Sequence, residues 1–197
     1  MSIGYSVEGA TDRAFLEGLR RRWCPEATLI EGAFRGASHI SLRRDIPKIC
    51  LELAHKGAKV FVFLTDANSQ DWRQVRQHES ELIPSEFRHL TLYGVADRNI
   101  ECWLAADRTY LAQQLGISPK VLKVDDPKDI VEKELGITRH DKREEEIASL
   151  VYNAPLHNWL KKSSSFEAFY EDARILSKQE GVSIPNERDA KMRKVNG

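Results

Sequence analysis

Three carboxylates in this chain of 197 residues stand where apolar runs stop. The run 3–7 halts at Glu8-Gly9, and the run 60–64 halts at Thr65-Asp66-Ala67-Asn68. Glu101 follows a third run, 89–95, in the first turn of the next helical pattern. In an open parallel sheet the carboxyl ends of the strands form one edge, and ligands collect there. Acids on that edge repel one another unless a cation or basic groups compensate. Carboxylate oxygens are the hard donors that Mg²⁺ takes, and such an ion activates water and stabilises charge on a phosphoryl group. Taken singly, each acid equally suits a helix cap or the partner of a helix dipole.

Other residues could support the same chemistry. Asp12 and Asp71 follow Glu8 and Asp66 closely, and Asp107 lies at the end of the helical pattern that holds Glu101. Arg35 sits in a glycine-containing loop before a helix, with Arg43 and Arg44 one or two turns later. Backbone amides, a helix start and an arginine fork can hold a phosphate, although glycines serving a turn and a solvated basic face fit as well. Lys128 is either a contact to a phosphate backbone or a solvated charge. Several motifs are excluded. There is no G-x-x-x-x-G-K-[ST], no G-x-S-x-G, and Leu82 stands where H-E-x-x-H needs its second histidine. The stretch 66–71 begins like a calcium loop but has Asp71 where the sharp turn requires glycine.

The elements that must position these residues alternate between strand and helix patterns, which predicts an α/β fold with an open, mainly parallel sheet. Thr11 is a cap for a helix carrying Ala14, Phe15, Leu19 and Trp23, and 27–30 reads as a short strand. A helix over 40–55 is expected to split at Pro47. The run 59–64 is apolar throughout, the mark of a central strand covered on both sides. A polar helix over 71–82, a strand over 89–95 and a helix capped by Asn99 follow, with Trp103 on its buried side. Beyond residue 116 the patterns are helical. The organisation expected is a core over 1–115, a helical extension over 116–183 and a polar, fraying tail over 184–197.

Hydrophobic residues make up 41% and charged residues 30%, which suits a globular chain, and the net charge is zero, which excludes a uniformly basic nucleic-acid binder. No run reaches the ~20 apolar residues of a membrane span, and no secretory leader is evident. Three cysteines without a C-x-x-C suit reduced thiols in a cytoplasmic protein.

Residues 7–12, Val-Glu-Gly-Ala-Thr-Asp, with Phe15-Leu16 after them, resemble the opening motif of Toprim domains, the fold shared by topoisomerases, primases and OLD-family nucleases. Residues 61–68 resemble the second Toprim motif, a strand ending in D-x-D. The stretch 99–107 is similar to an I-E-x-W-L-x-A-D segment of small bacterial Toprim-like proteins and of relatives in antiphage systems. Asp126-Pro127-Lys128 and 163–166 look like the same group. The resemblance implies a metal-dependent nuclease hydrolysing nucleic-acid phosphodiesters, DNA rather than RNA, in an antiphage or DNA-processing setting. Glu8, Asp66 and Glu101 would be catalytic and hold Mg²⁺ or Mn²⁺, with Asn68 as a further ligand. By analogy with OLD-family nucleases, a separately encoded ATPase is an expected partner. The departure is Asn68, which stands where the second aspartate belongs and brings no charge. That leaves two other readings open: a degenerate module that binds nucleic acid or a partner, and a phosphoryl or nucleotidyl transferase.

Overall fold

A strand that is apolar on both faces has to lie between two layers, and β3 (Val60–Asp66) is one of the two inner strands of a four-stranded parallel sheet. The computed structural model describes residues 1–32, 39–135 and 140–188, with side chains outside 39–43 and 140–142. The sheet order is β2 (Thr28–Glu31), β1 (Ser2–Val7), β3, β4 (Thr91–Ala96). From β1 the chain first adds a strand on one side, then crosses back to add β3 on the other. The order therefore reverses between β1 and β3, and a parallel sheet opens a crevice at such a point. Val7 stands opposite Leu64, so Glu8 emerges beside the last residues of β3.

Helices cover both faces. α1 (Ala10–Trp23), α4 (Ile100–Leu104), α7 (His140–Asn153), α8 (Leu156–Lys162) and α9 (Ser164–Gln179) pack with Ile3, Tyr5, Val7, Val62 and Leu64. On the other face α2 (His39–His55) and α3 (Trp72–Ser80) bury Phe61, Phe63, Tyr93 and Val95. α5 (Arg108–Leu115) and α6 (Lys128–Glu134) lie between β4 and α7 in the chain.

Trp103 is fully buried, as its helical spacing predicts, and its ring lies 5.4 Å from those of Phe15, Phe166 and Phe169. Its indole N–H donates to Ser165 Oγ at 2.7 Å. This aromatic cluster ties α1, α4 and the C-terminal helices into one core, each pair adding about 0.5–1.5 kcal/mol beyond its buried area. α1 lies so close to α7 that a Cβ on Gly18 would stand 2.6 Å from the Ala148 carbonyl oxygen. Only glycine fits there.

Several expectations need correction. Gly9, not Thr11, caps α1, and the Asp12 carboxylate accepts the Gly9 N–H at 2.7 Å. α2 runs unbroken through Pro47, because Ile46, Ile49, Cys50 and Leu53 all press onto the sheet and hold the turn in place. β3 extends to Asp66, and α3 begins at Trp72 with Asp71 as its cap. A 3₁₀ turn, Arg88–Leu90, precedes β4 where strand was expected from residue 89.

The stretch read as a fraying tail is docked where it starts. Tyr170 Oη donates to the Pro185 carbonyl, and Glu187 is 2% exposed. Arg22 grips that carboxylate with two bonds of 2.6 Å, and Trp23 adds a third at 3.2 Å. Among the described residues no helix is long and apolar enough to cross a membrane, and Cys24, Cys50 and Cys102 are free thiols.

Removing one partner of a buried ion pair strands the other charge. Glu187→Ala should therefore lower unfolding free energy by about 3–5 kcal/mol in urea titration. A loss below about 1 kcal/mol would show that the segment after α9 does not hold the core.

Candidate functional site

Strand ends at a switch point have exposed backbone groups that the ladder no longer pairs. The Asp66 N–H is one of these, and it donates to Glu8 Oε1 at 3.2 Å, joining the ends of β1 and β3. Glu8 thus sits at the crevice that the strand order creates. Asp12, one turn into α1, is brought to the same place because its bond to the Gly9 amide folds its side chain back toward the strand end. Glu101 enters from α4, 2% exposed, and is held there by Ile100, Trp103 and Leu104 in the core.

The four acids are electrostatically coupled. Burial raises the Asp66 carboxyl to about 8, and the charges of Asp12, Glu8 and Glu101 push the same way. Burial likewise lifts Asp12 to about 7, helped by Glu101 and Glu8 and opposed by the Gly9 bond. Glu101 is raised as well, chiefly by burial. Lys128 is the cation that opposes these shifts. Burial works against its charge, but Glu101, Asp66, Glu132 and Asp12 outweigh that and raise it.

Lys128 is itself held in place. Asp126 accepts from the Lys128 N–H at 3.0 Å and from Asn99 Nδ2 at 2.8 Å, while Asn99 Oδ1 caps α4 through Cys102 N–H at 3.2 Å. One asparagine therefore links the helix of Glu101 to the turn of Lys128. Arg143 of α7 is a second cation nearby. Its Nη2 donates to Thr11 Oγ1 at 2.8 Å, its Nε is buried with no hydrogen-bond partner among the described residues, and its charge lowers Glu101.

Of the residues singled out from sequence, Glu8, Asp66, Glu101, Asp12 and Lys128 come together. The others do not. Asn68 has left-handed backbone, is exposed, and turns its amide back to the Asp66 carbonyl at 3.3 Å. Asp71 accepts the Arg73 N–H at the start of α3. Asp107 caps α5 through Tyr110 N–H and takes a 2.6 Å bond from Asn158, which makes it a brace between α5 and α8. Arg44 is exposed and 3.9 Å from Asp45. Arg35 lies outside the described residues, as does the Arg43 side chain.

Two groups escaped the sequence reading. Arg143 sits in a helix of many charges, where nothing local sets it apart. Glu79 is fully buried on the α2–α3 face and accepts from Thr65 Oγ1 at 3.1 Å and Tyr93 Oη at 2.6 Å. That network anchors the end of β3 just behind Asp66. A charged residue in a polar helix gives no local sign of such burial.

The donor chemistry suits a hard divalent cation: carboxylate oxygens only, mutually repelling, partly dry. The side chains are not preset for one, since among the described residues no group of three or more Asp, Glu, His or Cys could hold a metal ion as it stands. Compared with protein-family models, curated proteins and solved structures, the chain matches none.

Carboxyls whose folded pKa is raised bind protons more tightly folded than unfolded, so stability falls as pH rises through that window. The melting temperature of the metal-free protein should drop by about 3 °C or more between about pH 5 and pH 8.5, and Asp66→Asn should flatten the drop. An identical pH profile for wild type and Asp66→Asn would refute the electrostatic picture of the site.

Proposed function

We propose that this protein is a Toprim-like, metal-dependent nuclease that hydrolyses nucleic-acid phosphodiesters at the β1–β3 switch point. The observation that carries the reading is the meeting of Glu8, Asp12, Asp66 and Glu101 at that crevice, with Lys128 as their opposing cation. The residues that would hold Mg²⁺ or Mn²⁺ are Glu8, Asp66 and Glu101, and such an ion supplies Lewis-acid charge and a more acidic water. Asp12 braces the Glu8 turn through Gly9 and adds negative charge behind it. Glu101, whose carboxyl is raised chiefly by burial, is placed at the edge where it can exchange a proton with a bound group. Lys128 offers an ammonium to a phosphoryl oxygen, kept in place by Asp126. DNA is the substrate to test first, and a separately encoded ATPase is the partner this reading expects.

Among the described residues no group of three or more Asp, Glu, His or Cys is preset to hold an ion, and a second reading, in which the edge binds nucleic acid or a partner without cutting it, needs none. The two readings differ in what they require. A nuclease needs the ion and the acids together; a binding module needs neither.

Purified protein with DNA or RNA and Mn²⁺ or Mg²⁺ should cleave, and Glu8→Ala, Asp66→Asn and Glu101→Gln should each lower the rate at least ~100-fold. Lys128→Ala should lower it while Lys128→Arg retains part. Equal behaviour of wild type and Glu8→Ala on every substrate would overturn the nuclease, and tight binding without metal in both would establish the module.

A further inference from the structure

Beside the acidic edge lies an open cleft of about 720 Å³. It belongs to the other side of the same two turns: Cys102 and Pro127 line it, while their chain neighbours Glu101 and Lys128 belong to the carboxylate cluster. Arg98, Arg108, Lys123 and Lys162 border the cleft, against the acids Asp97 and Asp125. Among the described residues Arg98, Arg108 and Lys123 form no ion pair and no side-chain hydrogen bond, and Lys162 only approaches Asp107 at 4.0 Å.

Surface cations normally scatter or pair with acids. Here side chains from four separate parts of the chain converge on one concavity: the β4–α4 turn, α5, the loop before α6 and the end of α8. The concavity is also built. Asp126 is clamped to Asn99, and burial, which alone would raise its carboxyl, is outweighed by the Asn99 and Lys128 bonds and the Arg98 charge, which lower it. Leu122 of the loop before α6 is fully buried. Ser164, first residue of the 16-residue α9, opens onto the cleft, so the positive end of that helix adds to the field. The lining is mostly polar, and Ala106, Pro119 and Val124 add an apolar patch between the cations. A volume in the ~300–1,000 Å³ range with convergent charges and an apolar patch is compatible with a small, polar ligand. Arg98, Arg108 and Lys123, without an ion pair among the described residues, leave donors open to an anion, and arginines favour phosphate.

We infer that this cleft binds a nucleotide phosphate, the arginines and lysines holding the phosphate and the Pro119–Val124 patch taking sugar or base. The ligand is either a nucleotide of a strand that also crosses the acidic edge or a free nucleotide beside it; both bring the same chemistry. The inference deepens the phosphodiester reading, but its test uses no metal and no catalysis, so either can fail alone.

Binding is measured in EDTA with two probes, a 5′-phosphorylated single-stranded DNA oligomer and a free deoxynucleoside monophosphate. Arg98→Ala with Arg108→Ala should weaken binding at least ~10-fold and reduce the salt slope of oligomer binding by about 1.4. Lys123→Ala with Lys162→Ala, on different elements, should act in the same direction, and melting curves confirm that each pair folds. Arg73→Ala, a cation outside the cleft that stacks on Trp72, should leave binding unchanged. Oligomer binding without competition by the monophosphate assigns the cleft to a strand, and effective competition assigns it to a free nucleotide. Failure of both probes to bind, no change in both cleft pairs, or an equal loss in Arg73→Ala overturns the inference.

Discussion

Four carboxylates crowd the mouth of the sheet, and burial removes much of the water that would screen their repulsion. Left to themselves Glu8, Asp12, Asp66 and Glu101 would spread apart. They stay because Glu8, Asp12 and Glu101 are each fastened to something that repulsion cannot move. Glu8 is bonded to the Asp66 amide and Asp12 to the Gly9 amide. Glu101 rides on a helix whose neighbouring tryptophan is locked into the aromatic core. The apolar core thus holds a polar cluster in an arrangement that its own charges oppose.

The C-terminal helices are part of that restraint. Phe166 and Phe169 of α9 pack on Trp103, Ser165 takes the indole N–H, and the Arg22–Glu187 pair closes the far end. The same helices supply Lys162 and Ser164 to the cleft beside the acids. Negative and positive regions therefore meet across the short segments 97–102 and 125–128. Asn99 and Asp126, neither of them a member of the acidic cluster, link these two segments by bonding to each other.

Much of the fold could be read along the chain. The apolar run of β3 announced an inner strand, and the alternation of patterns announced an α/β sheet with helices on both faces. Boundaries were less legible. Thr11 has the chemistry of a cap, yet the chain turns at Gly9, and Pro47 breaks nothing because Ile46, Ile49, Cys50 and Leu53 around it are pressed into the core. The start of the polar tail misled for a related reason. Glu187 looks like a solvated acid until Arg22, 165 residues earlier in the chain, is placed against it.

The site divides in the same way. Glu8, Asp66 and Glu101 were legible because strand polarity alone sends every strand end to one edge, whatever the order of the strands. Strand order is a different matter. It is fixed by which faces the crossing helices bury, a sum over distant contacts, and it decides that Glu8 and Asp66 flank the crevice together. Only the tertiary structure, for the same reason, separates Asp12 and Lys128 from Asp71, Asp107 and Asn68. All of them are polar residues near turns; what distinguishes them is the neighbour that the fold provides.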